Sequence, residues 1–129
     1  MGVFYVDCEI ESAQGRGKSV SVKRLLVDSG AEYSWIAASL LEKASIRVRK
    51  RDVPFLMANG QTITRDVGYA ILRAQGFETV DEVVFARPDD LQLLGSRTLE
   101  GFAAVLDPRR KKLVAAGPIP AAKAIREHS

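Results

Sequence analysis

Short runs in which apolar and polar residues alternate constrain this chain more than any other feature. Phe4, Val6, Cys8 and Ile10 alternate with Tyr5, Asp7 and Glu9, which is the two-residue period of a strand buried on one face. Residues 13–18 carry two glycines and read as a hairpin turn. Residues 19–27 alternate again through Val20 and Val22, then become continuously apolar at Leu25-Leu26-Val27, so a second strand should run from an exposed start into the core. Turn signals recur at sheet-protein spacing: Asn59-Gly60, Gly76, Pro88-Asp89-Asp90, Gly95 and the polar run 107–111.

Helical character is confined to short pieces. Residues 37–44 have helical composition, and Leu40, Leu41 and Ala44 can share one face. A second short helix is expected at 96–100, with Ser96 or Thr98 as its cap. Residues 46–57 return to strand, with Arg47, Arg49 and Arg51 on one face. Asn59-Gly60 is the strongest hairpin signal, because a two-residue turn matching strand twist wants positive φ at both central positions. The expected fold is mainly β with one or two short helices, a single domain over residues 1–117 and a tail over 118–129 whose stretch 121–126 has helical composition.

The rare residues exclude much chemistry. The chain has one cysteine and one histidine among 129 residues. Cys8 lies within an alternating apolar run and reads as a small core residue. His128 stands next to the last residue, a poor place for a general base, so Ser-His and Cys-His hydrolases and His/Cys zinc sites lack their groups. No metal or cofactor is expected, and carboxylates remain as the acid and base groups. The net charge is only +3. The basic clusters at 47–51 and 109–112 lack interleaved aromatics and read as solvated surface rather than a nucleic-acid site. No apolar stretch is long enough to span a bilayer and the N-terminus lacks signal-peptide zones, so a cytoplasmic protein without membrane contact is expected.

Within this frame Leu25-Leu26-Val27 delivers Asp28 into a small-residue turn, Ser29-Gly30-Ala31. A carboxylate in a packed region must be hydrogen-bonded, paired or partly protonated. Asp-Ser-Gly is also a common turn sequence, because Asp and Ser bond their own backbone and Gly tolerates positive φ. A related pattern recurs at Leu93-Leu94-Gly95-Ser96, another apolar run ending in a small-residue turn before a helical stretch.

Taken in order, Asp28-Ser29-Gly30-Ala31 with Ser34 and Ile36, the Asn59-Gly60 hairpin, and Leu93-Leu94-Gly95 resemble the retropepsin-like aspartic proteases, in their single-domain, non-viral branch. The resemblance covers about residues 4–115. It implies a closed β-barrel and an aspartic endopeptidase whose water is activated by two carboxylates sharing a proton. The chain carries one such motif, so the resemblance implies a homodimer in which Asp28 of each copy forms the pair. It also implies that Ser29 ties the two active-site loops together, that Gly30 lets substrate backbone approach, and that Ala31 and Glu32 line adjoining subsites. Glu32 reads equally as a solvated loop carboxylate. Met57, Ala58, Asn59 and Gly60 would form the flap over an extended peptide or protein substrate. Trp35, Phe55, Met57 and Ile63 are candidates for subsite walls. This flap is not glycine-rich, and Ser96 rather than Arg follows Gly95. The rival reading is a dimerisation or peptide-binding module that keeps the fold without proteolysis.

Overall fold

The computed structural model describes residues 3–15 and 17–118. Alternation produces β1 (Tyr5–Ser12), in which Val6, Cys8 and Ile10 are buried while Tyr5, Asp7 and Glu9 face solvent. Its antiparallel partner β2 (Val20–Val27) carries a bulge, because Val6 lies opposite Leu25 but Cys8 opposite Val22. The extra residue leaves Arg24 at φ +55°, with its N–H donating to Asp7 Oδ1 at 3.0 Å. A bulge reverses which residues face the core. Val20 and Val22 point inward before it, and Leu25 and Val27 after it. Leu26 is thereby turned to the other face.

Next come β3 (Ser34–Ala37), α1 (Ala38–Lys43), β4 (Val48–Leu56), β5 (Thr62–Ala74), β6 (Phe77–Ala86), β7 (Leu93–Leu94), α2 (Ser96–Phe102), β8 (Ala104–Asp107) and β9 (Lys112–Ala115). The main sheet has the order β1-β2-β7-β3-β6-β5-β4, and β1 also pairs with β5. Six strands therefore follow one another in a ring. The long β5 makes this possible: residues 70–73 pair with β1, while residues 62–68 pair with β4. β8 and β9 form a separate hairpin.

Two apolar clusters result. The larger is centred on Ile10, Val22, Leu25, Ile36, Leu41, Leu72 and Leu94, all fully or almost fully buried. Each such side chain contributes about 1.5–3 kcal/mol of transfer free energy. Helix α1 buries Leu41, and its C-cap residue Ala44 is buried on the same side, with Leu40 packed beside them. The second cluster contains Trp35, Val67, Val84, Ala86 and Leu93, with Leu26, Tyr33, Phe55, Met57 and Ile63 against it.

Two local expectations are corrected. At the β4–β5 connection only Gly60 of the Asn-Gly pair has positive φ, +85°. Gly60 N–H donates to Met57 O at 2.9 Å and Met57 N–H to Gln61 O at 2.8 Å, so the central turn residues are Ala58 and Asn59, with Gly60 supplying the left-handed residue after them. The tight turn with two positive-φ residues is instead Gln75-Gly76, at +51° and +86°, between β5 and β6. The long Gln75 side chain accepts Leu113 N–H at 2.7 Å, which offsets the cost of placing a non-glycine residue there. At α2 neither Ser96 nor Thr98 caps the helix; Gly95 holds that position without a side-chain bond. Thr98 is buried and its hydroxyl is used elsewhere. Residues 119–129, with the helical expectation at 121–126, lie outside the described residues.

Candidate active site

β2 and β7 run parallel, with Leu26 opposite Leu93 and Val27 opposite Leu94. The two similar apolar runs therefore end side by side, and their turns lock together. Asp28 N–H donates to Leu94 O at 2.9 Å, Ser96 N–H to Ala31 O at 2.7 Å and Arg97 N–H to Glu32 O at 3.1 Å. Gly95 is required for space rather than for conformation. Its φ is −93°, but a Cβ there would collide with the Tyr33 carbonyl and stand 2.8 Å from Glu32 O.

Asp28 follows the last residue of β2 and is half-buried. Gly30 N–H donates to its Oδ1 at 3.0 Å, and Ala31 N–H closes the turn onto its carbonyl at 3.2 Å. Among the described residues, no group bonds its Oδ2. The carboxylate is thus held by one oxygen and offered by the other.

Asp28, Gly30, Ala31 and Glu32 form one side of a groove of about 860 Å³. Trp35, Phe55 and Leu93 contribute apolar lining, Met57 and Ala58 come from the β4–β5 hairpin, and Asp89, Asp90 and Leu91 from the loop before β7. Phe55 fixes the hairpin base, its ring packing edge-on to Tyr33 at 5.3 Å and against Trp35 at 5.2 Å between centroids. Of the residues singled out from the sequence, Ser29, Asn59 and Gly60 are exposed and do not line the groove, and Ile63 packs in the cluster beneath it.

One part of the groove had no sequence signal. Arg65 on β5 forms a two-pronged ion pair with Asp90, Nε to Oδ2 at 2.6 Å and Nη2 to Oδ1 at 2.7 Å. Arg87 N–H adds a third bond to Asp90 Oδ2 at 2.8 Å. The Arg65 guanidinium holds the Asp90 carboxyl below its ordinary range, against the opposing effect of burial. The pair fastens one arm of the hairpin to the loop before β7. Among the described residues, no group of three His, Cys, Asp or Glu side chains is placed to hold a metal ion, and no helix is long and apolar enough to cross a membrane.

A sequence model of the family described as aspartyl protease matches residues 10–99, most of the chain. The chain therefore belongs to the aspartyl protease family and is an aspartic-type peptidase of the retropepsin-like kind. Among solved structures it resembles the EIAV protease complexed with the inhibitor HBY-793, with a TM-score of 0.55 and 16% identity over 82% of this chain and 93% of that one. At that identity the likeness is one of fold. No curated protein matches the chain.

Proposed function

We propose that the protein is a homodimeric aspartic endopeptidase in which Asp28 from two copies forms the catalytic pair. The observation that carries this reading is the presentation of Asp28: a carboxylate held through Oδ1 at the wall of a groove, in a chain of the aspartyl protease family with one such motif. Two carboxyl groups brought together across a two-fold axis cannot both ionise readily, so they share a proton, as is known for aspartic proteases. The ionised member takes a proton from water while the water oxygen bonds to the scissile carbonyl carbon. The protonated member gives its proton to the carbonyl oxygen. Collapse of the resulting gem-diol, with a proton delivered to the amide nitrogen, breaks the C–N bond and restores the shared proton.

In this reading the strand ring is a closed barrel, the β4–β5 hairpin is the flap, and residues 1–117 form the catalytic domain ahead of a tail. An extended peptide lies in the groove between Gly30-Ala31-Glu32 and Met57-Ala58. The hairpin tip at Asn59-Gly60 closes over it by main-chain hydrogen bonds. Ser29, exposed beside Asp28, would bond to the partner's loop. A peptide-cleavage assay at mildly acidic pH tests the assignment: Asp28→Asn should retain the fold and lose hydrolysis, and activity per subunit should fall on dilution as the dimer dissociates. Undiminished cleavage by Asp28→Asn refutes it. Peptide binding without cleavage by the wild-type protein returns the binding-module reading.

A further inference from the structure

Ser34 and Thr98 are fully buried hydroxyl residues, on β3 and α2. Their oxygens stand 2.6 Å apart, a geometry in which either could donate. Proton counting removes the ambiguity. Thr98 Oγ1 donates to Asp81 Oδ2 at 3.0 Å, which uses its single hydrogen. The Ser34–Thr98 hydrogen must then come from Ser34. Ser34 Oγ in turn accepts the Gly95 N–H at 2.9 Å. The result is a relay with one direction: Gly95 N–H to Ser34, Ser34 to Thr98, Thr98 to the Asp81 carboxylate on β6. Among the described residues, no buried side-chain nitrogen or oxygen is left without a partner.

The far end of this relay is the turn that holds Asp28. Gly95 lies between Leu94, whose carbonyl accepts Asp28 N–H, and Ser96, whose N–H binds Ala31 O. We propose that Asp81 is a positioning residue for Asp28. Its carboxylate ends the Ser34–Thr98 relay and thereby fixes the Gly95 turn against which the Asp28 loop is hung. The catalytic consequence rests on the protease reading above.

A carboxylate is needed at this end because it must accept twice. Oδ1 takes Glu82 N–H at 2.7 Å while Oδ2 takes the Thr98 hydroxyl. Asparagine has nearly the same shape but one acceptor. With its oxygen toward Thr98, its NH2 group faces the Glu82 N–H, donor against donor. With its NH2 group toward Thr98, the relay reverses, and the Ser34 hydrogen has no acceptor because Gly95 also offers a donor. The first arrangement sets two donors against each other at the part-buried Glu82 N–H, the second leaves a buried hydroxyl hydrogen unsatisfied, and each weakens the hold on the Gly95 turn.

The test combines Asp81→Asn, Thr98→Val and the double variant, with peptidase kinetics and amide hydrogen exchange at Gly95 as readouts. Each single variant should lower kcat about five- to tenfold, the kinetic equivalent of one neutral hydrogen bond, with KM unchanged. The double variant should lose no more than either single one, because both break the same chain. Gly95 exchange should accelerate in all three, and Thr98→Ser, which keeps the hydroxyl, should recover most of the kcat lost in Thr98→Val. Ile10→Val, which removes a buried methyl from β1 outside the relay, should lower the unfolding temperature without changing kcat. Wild-type kcat and Gly95 protection in Asp81→Asn, or losses that multiply in the double variant, would overturn the proposal. A wild-type protein that cleaves no peptide refutes the protease reading instead, and the Gly95 exchange rates then decide the relay by themselves.

Discussion

Replacing Asp90 by alanine separates the contribution of the Arg65–Asp90 pair from that of the surface ion pairs. Both side chains are only 12% exposed, whereas those of Lys23 and Asp7, which form a looser pair at 3.9 Å, are 73% and 65% exposed. Asp90 accepts from Arg65 Nε, Arg65 Nη2 and Arg87 N–H, and alanine removes both acceptor oxygens and with them all three bonds, while leaving a guanidinium in a mostly dry site. Removing one partner of a buried pair costs about 3–5 kcal/mol. Arg65 Nη1 keeps its bond to Thr64 O at 2.7 Å, so the lower end applies, about 3 kcal/mol. For a chain of this length that lowers the unfolding temperature by about 10 °C. Circular dichroism melts at fixed protein concentration and neutral pH measure it. The pair also predicts its own pH dependence. Asp90 has a depressed pKa in the folded state, so its stabilisation is complete above its unfolded value of about 3.9 and is lost as pH falls through the folded value. The gap between wild type and Asp90→Ala should therefore narrow below about pH 4. The double variant Arg65→Met/Asp90→Ala should recover much of the loss, since it leaves no unpaired charge behind. A single variant as stable as wild type at neutral pH, or a gap that persists unchanged into strong acid, would refute this account.

Gly95→Ala should fold poorly or with a displaced turn and lose peptidase activity, because the obstacle is the Tyr33 and Glu32 main chain rather than a movable side chain; soluble yield and kcat measure the effect. Burial pushes the Cys8 thiol up to about 12, helped by neighbouring Glu9 and opposed by a backbone hydrogen bond from Arg73. A thiol reagent at pH 8 should find no reactive cysteine in the native protein and one per chain in denaturant.

Much of the fold was legible because its signals are local. Alternation in β1, the helical face of Leu41 and Ala44, and the breaks at Gly60, Gly76 and Gly95 depend on neighbours a few residues away. The likeness between the runs ending at Asp28 and at Gly95 was also visible in the residues, and the parallel pairing of β2 with β7 sets them side by side. Other features were hidden because a side chain's partner is chosen by the sheet. No periodicity marks the bulge at Arg24, yet that single extra residue turns Leu25 and Val27 inward and Leu26 toward the cluster beneath the groove. Arg65 and Asp90 are 25 residues apart, Ser34 and Thr98 64 apart, and strand order alone brings them together. By itself the sequence determined the strand pattern and the Asp28-Ser29-Gly30 turn. Only the tertiary structure decided what braces the Asp28 turn, because that depends on its main-chain bond to β7 and, through the proposed relay at Gly95, on residues of β3, α2 and β6 that converge when the strand ring forms.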